Sequence, residues 1–356
     1  MRRNILSNKV ILITGGTGSL GKVLTDRIVS GEFGLPKKVI IFSRDELKQY
    51  LMRMKYQNKK AATEEIIFNN FDRLVQFVIG DLRDSSSVRQ ALVDVDIVIN
   101  AAALKQVPTC EYFPFEAIQT NVLGAENIVR AIVENNLNVK TVVGVSTDKA
   151  CKPVNVMGMT KALQERIFIS GNLRAPRTRF ICIRYGNVLA SRGSVIPQFH
   201  EQIKNGGPVT VTMNNMTRFL LPINKAVDTI MEAIREAKAG EIFVPIVPSV
   251  LMLNVAKVLI RGRRIKIKFT GIRPGEKLDE VLVSYEEGFR TYKKGSYFVI
   301  RPMLPEIRLK KKNIRFINRE YSSHDEVMTI EETEHLLTKN KLLVDSEITY
   351  DGEIVR

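Results

Sequence analysis

Val10-Ile-Leu-Ile-Thr14 runs directly into Gly15-Gly-Thr-Gly-Ser-Leu-Gly21, and the reading of this stretch decides the fold. The apolar, β-branched run is too short for a helix and stops at glycines, so it reads as a buried parallel strand. Residues 20–31 follow with Leu20, Val23, Leu24, Ile28 and Val29 at helical spacing. Strand, glycine turn and helix in that order make a phosphate cradle. Gly15, Gly18 and Gly21 permit a tight turn, close backbone approach to a pyrophosphate and tight helix–strand packing. The helix N-terminus adds free N–H groups and the positive end of its dipole. Thr17, Ser19 and Leu20 belong to the same loop and join the glycines as dinucleotide-binding candidates.

The alternation continues outward. Strands are expected at 39–42, 75–79, 97–100, 141–146 and 179–184, with helices at 46–59, 85–93, 114–135 and 154–169 between them. Such a rhythm builds βαβ units, so the fold class is α/β: a Rossmann-like doubly wound parallel sheet with a smaller C-terminal substrate-binding lobe. After residue 185 the rhythm breaks, and Gly206-Gly207-Pro208 precedes a β-rich stretch at 209–212. The expected division is a nucleotide-binding domain over 1–185 with a returning segment near 222–241, a substrate lobe over 186–308, and a tail over 309–356. That tail carries a helix at 330–340 and packs on the body or on a neighbouring subunit.

Of the 356 residues, 44% are apolar and 26% charged, an ordinary globular balance. No apolar run approaches the roughly 18 residues of a membrane span, and no signal peptide is evident, so the expectation is a cytoplasmic protein without membrane insertion. Cys110, Cys151 and Cys182 lack both disulfide number and metal-ligand spacing. His200, His324 and His335 form no ligand pattern, and no metal is expected. The surplus of 54 Lys and Arg over 38 Asp and Glu is spread out, without an aromatic-interleaved basic stripe or any Trp. It fits anionic small molecules, not nucleic acid.

The second strand ends in Phe42-Ser43-Arg44-Asp45. Ser43 and Arg44 offer a hydroxyl and a guanidinium suited to a ribose 2′-phosphate, which favours NADP over NAD. Strand five ends in Ser146-Thr-Asp-Lys149, and Met157-Gly-Met-Thr-Lys161 comes on the next helix, with 157 and 161 on one face.

The spacing Gly15-x-x-Gly18-x-x-Gly21 resembles the extended short-chain dehydrogenase/reductase superfamily. Gly80-Asp81-Leu82 resembles its adenine contact, and Asn100-Ala101-Ala102-Ala103 its nicotinamide-side loop. In that superfamily a Ser or Thr and a Tyr-x-x-x-Lys do the chemistry. Lys161 matches, whereas Met157 stands where Tyr is usual, and a thioether takes no proton. A longer string narrows the likeness: Ala102-Ala-Leu-Lys-Gln-Val-Pro108, Asn121, Ser146-Thr-Asp-Lys-Ala150, Arg184-Tyr-Gly-Asn-Val188, Ser191-Arg-Gly-Ser-Val-Ile-Pro197, Met216-Thr-Arg-Phe219 and Arg273-Pro-Gly-Glu-Lys277. Over about residues 8–308 the chain is similar to the C5-inverting UDP-N-acetylglucosamine 4,6-dehydratases of polysaccharide and flagellin-sugar biosynthesis. Some of their members also carry Met for Tyr.

The resemblance implies NADP, a UDP-sugar substrate and a homo-oligomer, dimer to hexamer. It implies a reaction sequence too: C4 oxidation, loss of water across C5 and C6, and hydride return to C6. Thr147 would bond O4, Asp148 would be the acid for the C6 hydroxyl, and Lys149 the base at C5. The base for C4 oxidation stays open between Lys161 and Lys149, each lowered in pKa by burial and neighbouring cations. Asn187, Val195, Arg218, Arg273, Glu276 and Lys105 are the substrate-binding candidates, with Arg192 a further charge partner. Release of a 4-keto-5,6-ene, a UDP-hexose 4-epimerase and a non-catalytic nucleotide-binding protein are the alternatives. An epimerase is expected to keep Tyr at 157 and to need no Asp-Lys pair.

Overall fold

The computed structural model describes residues 4–57, 71, 73–189, 194–308 and 314–344. Strands β1 (Val10–Thr14), β2 (Lys38–Ser43), β3 (Val75–Ile79), β4 (Ile97–Asn100), β5 (Thr141–Val145) and β6 (Arg179–Ile183) pair in parallel in the order β6-β5-β4-β1-β2-β3. Every residue of β1, β4 and β5 is buried. A sheet covered on both faces demands that, and it is why these strands read as unbroken apolar runs. The chain order reverses between β1 and β4, so a crevice opens beyond their C-terminal ends. The fold is the Rossmann-like α/β architecture expected.

Sheet membership does not stop at residue 185. Ile242–Pro245 adds to β6 in parallel, and the hairpin Thr291–Lys294 with Tyr297–Ile300 extends it further, antiparallel. A hairpin needs no crossover helix, so it leaves no βα rhythm to read. The span 186–308 therefore holds sheet strands as well as the smaller lobe. Within 222–241, the helix Ile223–Glu236 packs beside α1 (Ser19–Val29), and Arg27 Nη2 meets Asp228 Oδ1 at 2.7 Å. A second apolar core joins Phe199, Val211, Leu220, Val255 and Leu259 to Leu337 and Leu342. The helix Ile330–Lys339 packs there, opened by a Thr329–Glu332 capping box.

The continuous helix expected over 114–135 is interrupted. A short helix Pro114–Ala117 leads into a π-turn, Ile118–Leu123, before Gly124–Glu134, and another helix, Val107–Tyr112, precedes them. The π-turn carries Asn121 to the interior. Its side chain bonds both backbone groups of Leu104 at 2.9 Å and donates to Thr160 Oγ1 at 3.0 Å. One amide thus fastens the loop after β4 to the helix Val156–Arg174, which runs past the 169 expected as its end.

Candidate functional site

The crevice starts with the glycine turn. Gly15 has φ +64°, and a Cβ there would stand 2.8 Å from the backbone of Ala102, so only glycine lets the β1 and β4 loops touch. At Gly21 a Cβ would meet the Gly16 carbonyl at 2.4 Å. Thr14 Oγ1 donates to Asn100 Oδ1 at 2.6 Å and accepts from the Ala102 N–H at 3.3 Å, locking the two strand ends together. Ala101, Ala102 and Ala103 line the junction half-buried. α1 starts at Ser19 without a side-chain cap and without an acid in its first turn. Its orphan N–H groups thus stay available to an anion beside Thr17, Gly18 and Leu20.

At the tip of β2, Ser43 and Arg44 part company. The Ser43 hydroxyl is buried and accepts from Gln49 Nε2 at 3.0 Å, so it faces the helix and not the crevice. The Arg44 side chain stays half exposed, 3.6 Å from Asp81, which also binds Arg83 at 2.7 Å. Burial pushes the Asp81 pKa up, but the two guanidiniums overcome it and the net shift is downward. Leu82 is buried, with its carbonyl held by Asn127.

Beyond β5 the chain turns through Asp148–Ala150 with Thr147 as its cap. Thr147 Oγ1 donates to Asp148 Oδ1 at 2.7 Å, and Lys149 Nζ donates to the same oxygen at 3.0 Å. Lys149 Nζ also lies 3.2 Å from Glu280 Oε1, with Arg218 Nε 3.8 Å from that oxygen on the other side. Burial acts to lower the Lys149 pKa, but Asp148 and Glu280 outweigh it and the net shift is upward. The expectation that burial and neighbouring cations lower Lys149 is therefore corrected: two carboxylates hold it as an ammonium. Asp148 has no accessible surface, and its Oδ2 has no hydrogen-bond partner. Thr147 and Lys149 are the members of the triplet that reach the surface of the crevice.

Lys161 behaves oppositely. It is buried, donates to the Val145 carbonyl and to Gln164 Oε1 at 2.6 Å each, and burial pulls its pKa down to about 8. Met157 packs with Cys110 and Ala117. The helix carrying both begins at Asn155, whose Oδ1 caps Gly158 N at 2.8 Å.

Asn155 Nδ2 also holds the Gly275 carbonyl at 2.7 Å, and Lys277 Nζ holds the Cys151 carbonyl at 2.6 Å. The Arg273–Lys277 turn is thereby pinned to the start of the Val156–Arg174 helix. Arg273 is exposed on it, and Glu276 keeps a buried Oε2 without a partner. Asn187 likewise has an unpartnered buried Oδ1. Arg218 is buried and donates to the carbonyls of Thr217, Lys277 and Leu278, so here it braces the 277–280 segment and offers no free fork. Lys105 is exposed on the loop that Asn121 clamps, and Val195 opens the helix Val195–Lys204. Arg192 lies outside the described residues.

Glu280 escaped the sequence reading, because a lone Glu before an apolar strand gives no signal of the lysine it meets 131 positions upstream. The Arg184–Glu165–Glu287 cluster was missed in the same way: Arg184 Nη2 meets Glu165 Oε2, and Nη1 meets Glu287 Oε2, each at 2.7 Å. Among the described residues no group of three or more His, Cys, Asp or Glu is placed to hold a metal, and no helix is long and apolar enough to cross a membrane.

Comparison with known proteins gives three kinds of relative. A family model described as "Polysaccharide biosynthesis protein" matches residues 11–302. The chain is 45% identical to a UDP-glucose 4-epimerase of Rickettsia canadensis over 82% of this chain and 83% of that one. It is 41% identical to the UDP-N-acetylglucosamine 4,6-dehydratase (inverting) of Campylobacter jejuni, over 84% and 85%. The crystal structure of Pen from Bacillus thuringiensis superposes with a TM-score of 0.83 at 33% identity, covering 95% of this chain and 99% of that one.

Proposed function

The chain belongs to the polysaccharide biosynthesis protein family, and on that premise we propose that it is an NADP-dependent dehydratase of UDP-N-acetylglucosamine. The product is a UDP-4-keto-6-deoxy-N-acetylhexosamine, inverted at C5. The observation that carries this reading is the cluster of Thr147, Asp148, Lys149 and Glu280, two buried carboxylates in contact with a partly exposed ammonium and with polar capacity left over. An epimerase moves a hydride off and onto C4. A dehydratase must in addition take a proton from C5 and give one to the departing C6 hydroxyl, which requires paired acid–base groups.

The cradle of Gly15, Gly18 and the uncapped start of α1 would hold the diphosphate of a dinucleotide, and the half-exposed Arg44 would turn from Asp81 to a 2′-phosphate. Bound there, the dinucleotide supplies the acceptor for the C4 hydride and its later donor to C6. Lys161, with a pKa near 8, takes the C4 hydroxyl proton that Met157 cannot. Thr147 orients O4. Lys149 must be neutral to act at C5, and Asp148 and Glu280 are the carboxylates in contact to receive its proton. The buried Asp148 reaches the C6 hydroxyl by way of the Thr147 hydroxyl and Lys149. Arg273, Glu276 and Asn187 hold the uridine diphosphate, and Lys105 and Val195 border the sugar.

Incubation with UDP-N-acetylglucosamine and NADP, read by mass spectrometry, tests the reading. Loss of one water supports it. An unchanged mass with altered C4 configuration supports the epimerase reading that the rickettsial relatives favour. NMR of the product made in deuterium oxide reports the C5 configuration and the C6 state together. A second copy of the chain is the proposed cover for exposed Tyr112, Phe113, Phe115, Met159 and Leu163, and light scattering measures that assembly.

A further inference from the structure

Away from the catalytic cluster lies a cavity of about 530 Å³, within the size range of small-molecule sites. Its walls come from the 150–153 loop, the outer face of the Val156–Arg174 helix, the 284–290 segment, Met303 and Arg308. None of Thr147, Asp148, Lys149, Met157 or Lys161 lines it. Lys152, Arg166, Arg184, Arg290 and Arg308 face it, against Glu165, Glu286 and Glu287.

The pairing leaves two of these cations without a counter-ion. Arg184 is saturated by Glu165 and Glu287, and Lys152 turns to Glu320. Arg290 shares Glu287 at 3.3 Å. Arg166 has Met303 Sδ as its polar partner at 3.2 Å, a weak acceptor, and Arg308 bonds the carbonyls of Pro302 and Met303. Among the described residues no carboxylate pairs with Arg166 or Arg308. Burial lowers the Arg290 pKa, Glu287 opposes it, and the charges of Arg166, Arg184 and Arg308 lower it again. Like charges gathered at one cavity mouth destabilise the protein unless something answers them.

We propose that this cavity is a binding site for a diphosphate-bearing small molecule, held by Arg166, Arg308 and Arg290 and separate from the candidate active site. Guanidinium forks match phosphate oxygens two at a time, and two such forks with a third half-buried behind them suit a diphosphate better than a monoanion. The site's floor is Arg184, which holds Glu165 and through it the Ser146 hydroxyl at 2.5 Å, immediately before the catalytic triplet.

The probe is inorganic pyrophosphate added to the full chain, followed by calorimetry and hydrogen exchange. Binding with protection over residues 150–166 and 284–308, weakened tenfold or more in Arg166→Gln/Arg308→Gln, is the expected result. Both side chains are exposed, so the double variant is expected to fold, and an unchanged melting temperature checks that. Arg166→Lys/Arg308→Lys should restore part of the affinity. Equal binding by wild type and the Gln variant, protection confined to the glycine turn or to 273–280, or no binding at millimolar pyrophosphate overturns the proposal.

Discussion

Two clusters of acids and cations flank the end of β5, and they are built from the same materials to opposite ends. In one, Arg184 is fully enclosed and spends its guanidinium on Glu165, Glu287 and the Leu282 carbonyl. In the other, Asp148, Lys149, Glu280 and Arg218 meet at 3.0 to 3.8 Å, and Asp148 Oδ2 and Glu280 Oε2 are buried and unanswered. A saturated buried network fixes a structure, while an unsaturated one costs stability and keeps valence for something that arrives. The first cluster holds the strand end in place, and the second is where chemistry is expected.

The largest effect should separate the two by activity. Asp148→Asn removes the acid and should lower dehydration by about 10²–10⁴-fold with little change in unfolding free energy, checked by product formation and urea denaturation. Arg184→Met should do the reverse. It strands Glu165 as a buried charge, leaves Glu287 with Arg290 at 3.3 Å, and should cost about 3–5 kcal/mol in urea unfolding, with activity following the folded fraction.

Lys161 sharpens the contrast through pH. Its pKa falls from the model-compound 10.5 to about 8 on folding, so between those values the unfolded chain binds the extra proton and stability rises with pH. Relative to Lys161→Met, the wild type should gain about 3 kcal/mol from pH 8 to 10.5, measured by denaturant unfolding across that range. The same variant should lose 4-keto sugar formation, and wild-type C4 oxidation should climb as pH rises through 8. The smallest effect belongs to Glu280→Gln. Removing a carboxylate that raises the Lys149 pKa should move the ascending limb of the pH–rate profile to lower pH, with a severalfold rate change, and leave KM nearly unaltered.

The parallel core was legible because burial on both faces writes strands such as Ile97–Asn100 as plain apolar runs. The contact of Asp148 with Lys149 was legible because the two are adjacent in the chain, opposite in charge and follow a strand end. What stayed hidden was whatever tertiary contact alone decides. The π-turn at Asn121 answers Leu104, the Ser43 hydroxyl turns to a glutamine six residues on, and Lys149 owes its raised pKa in part to Glu280, far along the chain. The hairpin at 291–300 joins the sheet without any helical punctuation to announce it.

The bonds from Asn155 to Gly275 and from Lys277 to Cys151 stitch the smaller lobe to the root of the Val156–Arg174 helix. Rotating that lobe outward like a book cover would tear both stitches, one of them made by the same amide that caps the helix. If the proposed function holds, a nucleotide sugar that seats against the Arg273–Lys277 turn also bears on Asn155, the residue that caps the helix of Met157 and Lys161.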